Sequence, residues 1–139
     1  MSEILSAKEI LSAKEIEAII KQTRALPSCH YWNAVIGVMA YAGLRENEVI
    51  ELLLEDVDLG KGVISVRSIE KPMETRQIQI SEKLLALLER RPSNKSKYLF
   101  PNIQANAKPW YPSSFNSELQ KRLPQDLKPI DLSNSFGTL

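Results

Sequence analysis

At 139 residues the chain is sized for one domain with a real core, and its 43% hydrophobic, 25% charged and 6% aromatic residues are ordinary for a globular protein. The longest strongly apolar run, 34–44, is far too short to cross a bilayer, and the N-terminus lacks the basic lead and apolar stretch of a signal peptide. Net charge is only +1 but unevenly spread, with 7 Lys/Arg against 11 Asp/Glu in residues 1–70 and 11 against 6 in residues 71–139.

A basic C-terminal half suits either a phosphate-facing surface or a merely solvated face. Cys29 is alone, which excludes an internal disulfide and fits a reducing compartment, so a cytoplasmic location without membrane attachment is expected.

The chain opens on a tandem duplication, EILSAK at 3–8 and again at 9–14. Two copies of six residues do not make a repeat architecture, and the duplication carries no functional weight. Each copy has the Ser-x-x-Glu spacing of a capping box, Ser6 with Glu9 and Ser12 with Glu15. Because Ile16, Ile19 and Ile20 follow at helical spacing, the second cap is expected to start the first helix. Residues 1–11 are then an extension and 12–139 the domain.

Pro27 and Ser28 end that helix. Residues 31–42, YWNAVIGVMAYA, are apolar nearly all round, as in a buried helix, and Gly43 supplies a stop. A third helix is expected over RENEVIELLLEDV, with Glu46 and Glu48 in its first turn and Val49, Ile50, Leu53 and Leu54 facing inward.

The period then shortens to two. GVISVRSI at 62–69 and TRQIQI at 75–80 alternate around a turn containing Pro72, which predicts a β-hairpin. Ser81 caps a helix through Arg90 whose apolar side is Leu84, Leu85, Leu87 and Leu88. A polar loop, the short extended YLFP and a second loop lead to a helix from Ser113 or Ser114, with Phe115, Leu119 and Leu123 at spacings of four. In the closing IDLSNSFGTL, Asp131 and Ser133 suit a helix start, with Phe136 and Leu139 on its apolar side. The expected fold is mainly helical α+β, a helical bundle with a small antiparallel hairpin or sheet.

Few residues stand out chemically. Arg45, between a glycine stop and an acidic helix start, suits two-pronged phosphate binding, but equally a pair with Glu48 or a cap on the preceding carbonyls. Lys71 at the hairpin tip suits a DNA groove or proton donation to a leaving oxygen, although hairpin tips are often charged because they are wet. His30 beside Cys29 has no second His or Cys to complete a metal site. Trp110 and Tyr111 near Lys108 suit base stacking or, more simply, packing on the adjacent helix. Arg90, Arg91, Lys95 and Lys97 suit phosphates or solvent.

Taken in order, YAGLRENEVIELLLEDVDL, a hairpin carrying EKPMETRQIQI, then YLFP and PIDLSNSFGTL resemble the catalytic domain of tyrosine recombinases, the phage integrases. The resemblance runs from about Ser12 to the last residue. It implies DNA cleavage and rejoining through a phosphotyrosine, without metal or other cofactor. It implies that Arg45 is the first of two phosphate-binding arginines, that Glu48 belongs to the same motif, and that Lys71 is the lysine that protonates the leaving oxygen. Arg76 on the next strand is implied to contact the DNA backbone or form a structural pair.

The second cluster departs from the family's pattern. Ile130 stands where its histidine belongs, Ser133 where its second arginine belongs, and Asn134 where a further histidine is frequent. None of Tyr31, Tyr41, Tyr98 or Tyr111 is placed as the nucleophile. The expectation is therefore a degenerate or truncated recombinase domain that does not cut DNA. It would at most bind duplex DNA, weakly and salt-sensitively, through Arg45, Lys71 and Arg76, as a monomer without the exchange tail. A folded remnant acting through protein contacts, or a fragment of an active integrase, are the alternatives.

Overall fold

A computed structural model of the chain describes residues 12–23, 29–67, 75–92, 96–102, 109–124 and 126–136. The elements are α1 (Ala13–Thr23), α2 (Cys29–Ala42), α3 (Glu46–Glu51), a 3-10 turn (Leu54–Asp56), β1 (Val57–Asp58), β2 (Val63–Arg67), β3 (Thr75–Gln79), α4 (Glu82–Arg90), α5 (Pro112–Gln120) and α6 (Pro129–Asn134). This is the expected mainly helical bundle with a small antiparallel sheet.

Ser12 caps α1 as its spacing predicts. The Glu15 N–H donates to Ser12 Oγ at 3.2 Å, and the Ser12 N–H donates to Glu15 Oε1 at 3.0 Å. Ile16, Ile19 and Ile20 turn inward. The upstream copy, with Ser6 and Glu9, lies outside the described residues.

Helix α2 is the spine, buried on all sides from Tyr31 to Ala40. Helix α4, capped by Ser81 Oγ accepting from the Leu84 N–H at 3.3 Å, lays Leu84 and Leu88 against it. Gly37 permits this approach, since a Cβ there would lie 2.7 Å from Leu87 Cδ1. The sheet runs β1-β2-β3 antiparallel, with Ile64 opposite Ile78 and Val66 opposite Arg76; Ile64 and Val66 enter the core.

Helix α3 is shorter than the periodicity predicts. It stops at Glu51, where Leu52 turns extended (φ −67°, ψ 127°). The backbone beyond it bonds elsewhere: the Leu54 N–H donates to Lys97 O at 2.8 Å, and the Leu99 N–H donates to Leu52 O at 2.9 Å. Leu53 bridges Tyr98, and Val57 and Asp58 become the third strand beside β2. Leu53 and Leu54 are therefore only half-buried while Leu52 is buried.

Helix α5 begins at Pro112, one residue before the expected serines, because proline suits a first helical position. It buries Phe115 and Leu119, and Leu123 follows into the core just past its end. Trp110 belongs to that core. Its ring lies 5.8 Å from Trp32 and from Phe115, and its Nε1–H donates to Tyr31 Oη at 2.7 Å. Tyr31 in turn donates to Pro101 O at 2.8 Å.

Candidate nucleic-acid interface

Three chain segments meet where α2 ends. Gly43 takes φ +74°, a conformation glycine adopts without strain, and turns the chain out of α2. Leu44 is buried, and Arg45 follows as the exposed N-cap of α3. The Arg45 N–H donates to Glu48 Oε1 at 2.9 Å, the reach-back that an acidic side chain three residues into a helix makes.

Arg76 arrives from β3. Its Nη1 donates to Glu48 Oε2 at 2.7 Å and its Nη2 to Glu48 Oε1 at 3.1 Å, a two-pronged pair. The Glu48 carboxylate is nine-tenths buried and the Arg76 side chain half-exposed. Burial opposes charge on Glu48. The Arg76 and Arg45 hydrogen bonds and both guanidinium charges outweigh it and hold the carboxyl below its ordinary range. The Glu48 hydrogen bond in turn raises Arg76. Next door, burial pushes Glu46 up.

The third segment is α6. Asp131 Oδ2 accepts the Lys128 N–H at 2.9 Å, so Lys128 occupies the cap position and Asp131 the third helical residue. Ser133 caps nothing, contrary to the sequence expectation. Its hydroxyl donates across the fold to Leu44 O at 2.7 Å. Phe136, 42% exposed, lies against Gly43, where an added Cβ would stand 2.7 Å from Phe136 Cδ2.

Together these segments line an open cleft of about 630 Å³, bounded by Arg45, Glu48, Arg76, Gln77, Gln79 and Phe136. Arg45 is the cation here that, among the described residues, makes no hydrogen bond through its guanidinium, while Arg76 is committed to Glu48. The cleft can therefore hold an anion at Arg45 with amide donors from the Gln77 and Gln79 side chains nearby. Neither a tyrosine nor a histidine is among its described lining residues.

The structure thus brings Arg45, Glu48 and Arg76 together and sets Ser133 behind them. Lys71 lies outside the described residues, as do Lys95 and Lys108. Ile130 is half-buried on α6 and His30 is exposed on α2. Among the described residues no cluster of three or more His, Cys, Asp or Glu could hold a metal, and no helix is long and apolar enough to cross a membrane. Sequence reasoning missed Gln77, Gln79 and Phe136. The two glutamines had a signal, their alternation with isoleucine in QIQI; Phe136 had none as a cleft residue.

The sequence matches the phage integrase family over residues 9–129, and the chain belongs to that family, the tyrosine recombinases. Among curated proteins none matches the chain. Solved structures share the fold. XerA recombinase superposes with a TM-score of 0.74 at 24% identity, covering 93% of this chain and 49% of that one. The Tn1549 transposon integrase bound to a circular intermediate DNA gives 0.68 at 19% identity, with 93% and 52% covered. A lambda integrase tetramer bound to a Holliday junction gives 0.69 at 12% identity, with 94% and 41% covered. The chain spans about half the length of these structures or less.

Proposed function

We propose that this chain is a duplex-DNA-binding module of the recombinase fold that engages the phosphate backbone without cutting it. The observation that carries this reading is the cleft itself. One exposed guanidinium, Arg45, stands at its mouth on a rigid junction, and a serine hydroxyl turned to a backbone carbonyl occupies α6 behind it.

Cleavage through a phosphotyrosine needs a nucleophile at the phosphate and donors aimed at its developing charge. A cleft with one uncommitted arginine and no tyrosine or histidine among its described lining residues supplies binding but not that chemistry. Lys71, on the stretch before β3, is assigned as a second phosphate contact on its resemblance to the family lysine. Arg76 is a reserve contact, held by Glu48 until a phosphate competes for it. Related solved structures are DNA complexes, one with a circular intermediate and one with a Holliday junction, which supports duplex DNA as the ligand.

Fluorescence anisotropy with a labelled duplex, titrated with salt, tests the reading. The chain is expected to bind at low salt, with affinity falling along a shallow logarithmic slope. Arg45→Ala and Lys71→Ala should each weaken binding regardless of sequence. Absence of binding at low salt would overturn the proposal and direct attention to protein contacts.

A further inference from the structure

We infer that Ser133 is a positioning residue for Arg45, acting through the peptide group that joins Leu44 to Arg45. The inference rests on the reading of Arg45 as a phosphate contact.

A peptide group is planar, so its C=O and N–H move as one rigid unit. Both ends of this one are held. Its oxygen, on Leu44, accepts from Ser133 Oγ at 2.7 Å, and its N–H, on Arg45, donates to Glu48 Oε1 at 2.9 Å. The two anchors come from different elements, α6 and α3. They fix the plane from which the Arg45 side chain departs, with Arg45 at φ −89°.

The setting makes the serine anchor matter. The preceding residue, Gly43, sits at positive φ, where a glycine restricts the backbone least. Leu44 is fully buried, so its carbonyl has little access to water and is expected to lose its partner if the hydroxyl is removed. Glu48 cannot substitute for Ser133, because a carboxylate accepts and does not donate to a carbonyl. Phe136, one turn beyond Ser133, covers Gly43 from the same helix end. The terminal helix therefore acts as a latch on the arginine-bearing junction.

Two readouts test this on the full chain. The first is amide hydrogen exchange. In Ser133→Ala, exchange at Arg45 and at Val49, whose N–H donates to Arg45 O at 3.0 Å, should accelerate about threefold to tenfold, the range implied by losing one net hydrogen bond. Val35 and Ile36, in the middle of α2, should be unchanged, and Ser133→Thr, which keeps the hydroxyl, should restore the slow rates. Unchanged exchange at Arg45 in Ser133→Ala, or acceleration spread equally over α2, would overturn the latch.

The second readout is duplex binding. Ser133→Ala should weaken it severalfold in the parent chain and have no effect in an Arg45→Ala background, because the serine acts only through that arginine. An equal loss in both backgrounds would overturn the coupling. Failure of the parent chain to bind DNA would instead overturn the proposed function, and the exchange rates alone would then decide the latch.

Discussion

Glu48 and Arg76, 28 positions apart in sequence, are joined by two parallel hydrogen bonds of 2.7 and 3.1 Å across the cleft floor. The same carboxylate also receives the Arg45 N–H. One acidic side chain therefore ties helix α3 to strand β3, sets the peptide before Arg45, and neutralises half of the cleft's positive charge.

Glu48→Gln should consequently act in opposite directions on stability and on binding. Replacing the carboxylate weakens charge-assisted hydrogen bonds, at a cost of about 1–3 kcal/mol. Arg76 is released toward a bound phosphate, so the salt dependence of DNA affinity should steepen by about 0.9 per added contact. Denaturant unfolding and salt-titrated anisotropy read the two effects separately.

Arg45→Ala should act on binding alone. The side chain is exposed, and the junction is held by its backbone rather than by its guanidinium. Stability should stay within about 0.5 kcal/mol of the parent, as at most surface positions. The salt slope should flatten by about 0.9. A thermal melt and the same anisotropy titration check both.

Acid should loosen this corner of the fold. The folded-state carboxyl of Glu48 titrates below its unfolded value of about 4.3. Its contribution is therefore complete above that value and lost as pH falls through the depressed folded value. Glu46, raised by burial, contributes in the opposite sense, since its protonation relieves a burial cost. Urea midpoints measured from about pH 6 down to about pH 3 should fall less steeply at the acid end for Glu48→Gln than for the parent.

Gly43→Ala should destabilise the chain by about 1–3 kcal/mol, because an L side chain at φ +74° is strained. The new methyl would also meet the Phe136 ring, displacing it from the cleft wall. Hydrogen exchange of α6 should then rise above that of the parent chain.

The residues differ in how plainly they announced these roles. Ser12 and Ser81 were legible because capping is local: the donor, the acceptor and the start of the apolar pattern lie within four residues. Helix α2 was legible because complete burial leaves no polar face. The end of α3 was not, since the partners that pull Leu52 and Leu54 out of the helix are Leu99 and Lys97, more than forty residues later. The site divides the same way. Glu48 three residues after Arg45 suggests a contact on its own. That Glu48 also holds Arg76, or that Ser133 bonds Leu44, depends on how β3 and α6 pack, and hydrophobic spacing does not encode it.

Trp32 and Trp110, the two tryptophans of the chain, sit in a single aromatic cluster with Tyr31 and Phe115, and the Arg122 guanidinium lies 4.5 Å above the Trp32 ring. That cluster packs at the start of α2, and the cleft opens where the same helix ends. Ten residues separate Trp32 from Ala42, about 15 Å of straight helix. The protein thus carries its own optical reporter at one end of a stiff rod and its candidate ligand site at the other. Intrinsic fluorescence will register melting of the core, and a ligand at Arg45 will alter it only by moving the rod itself.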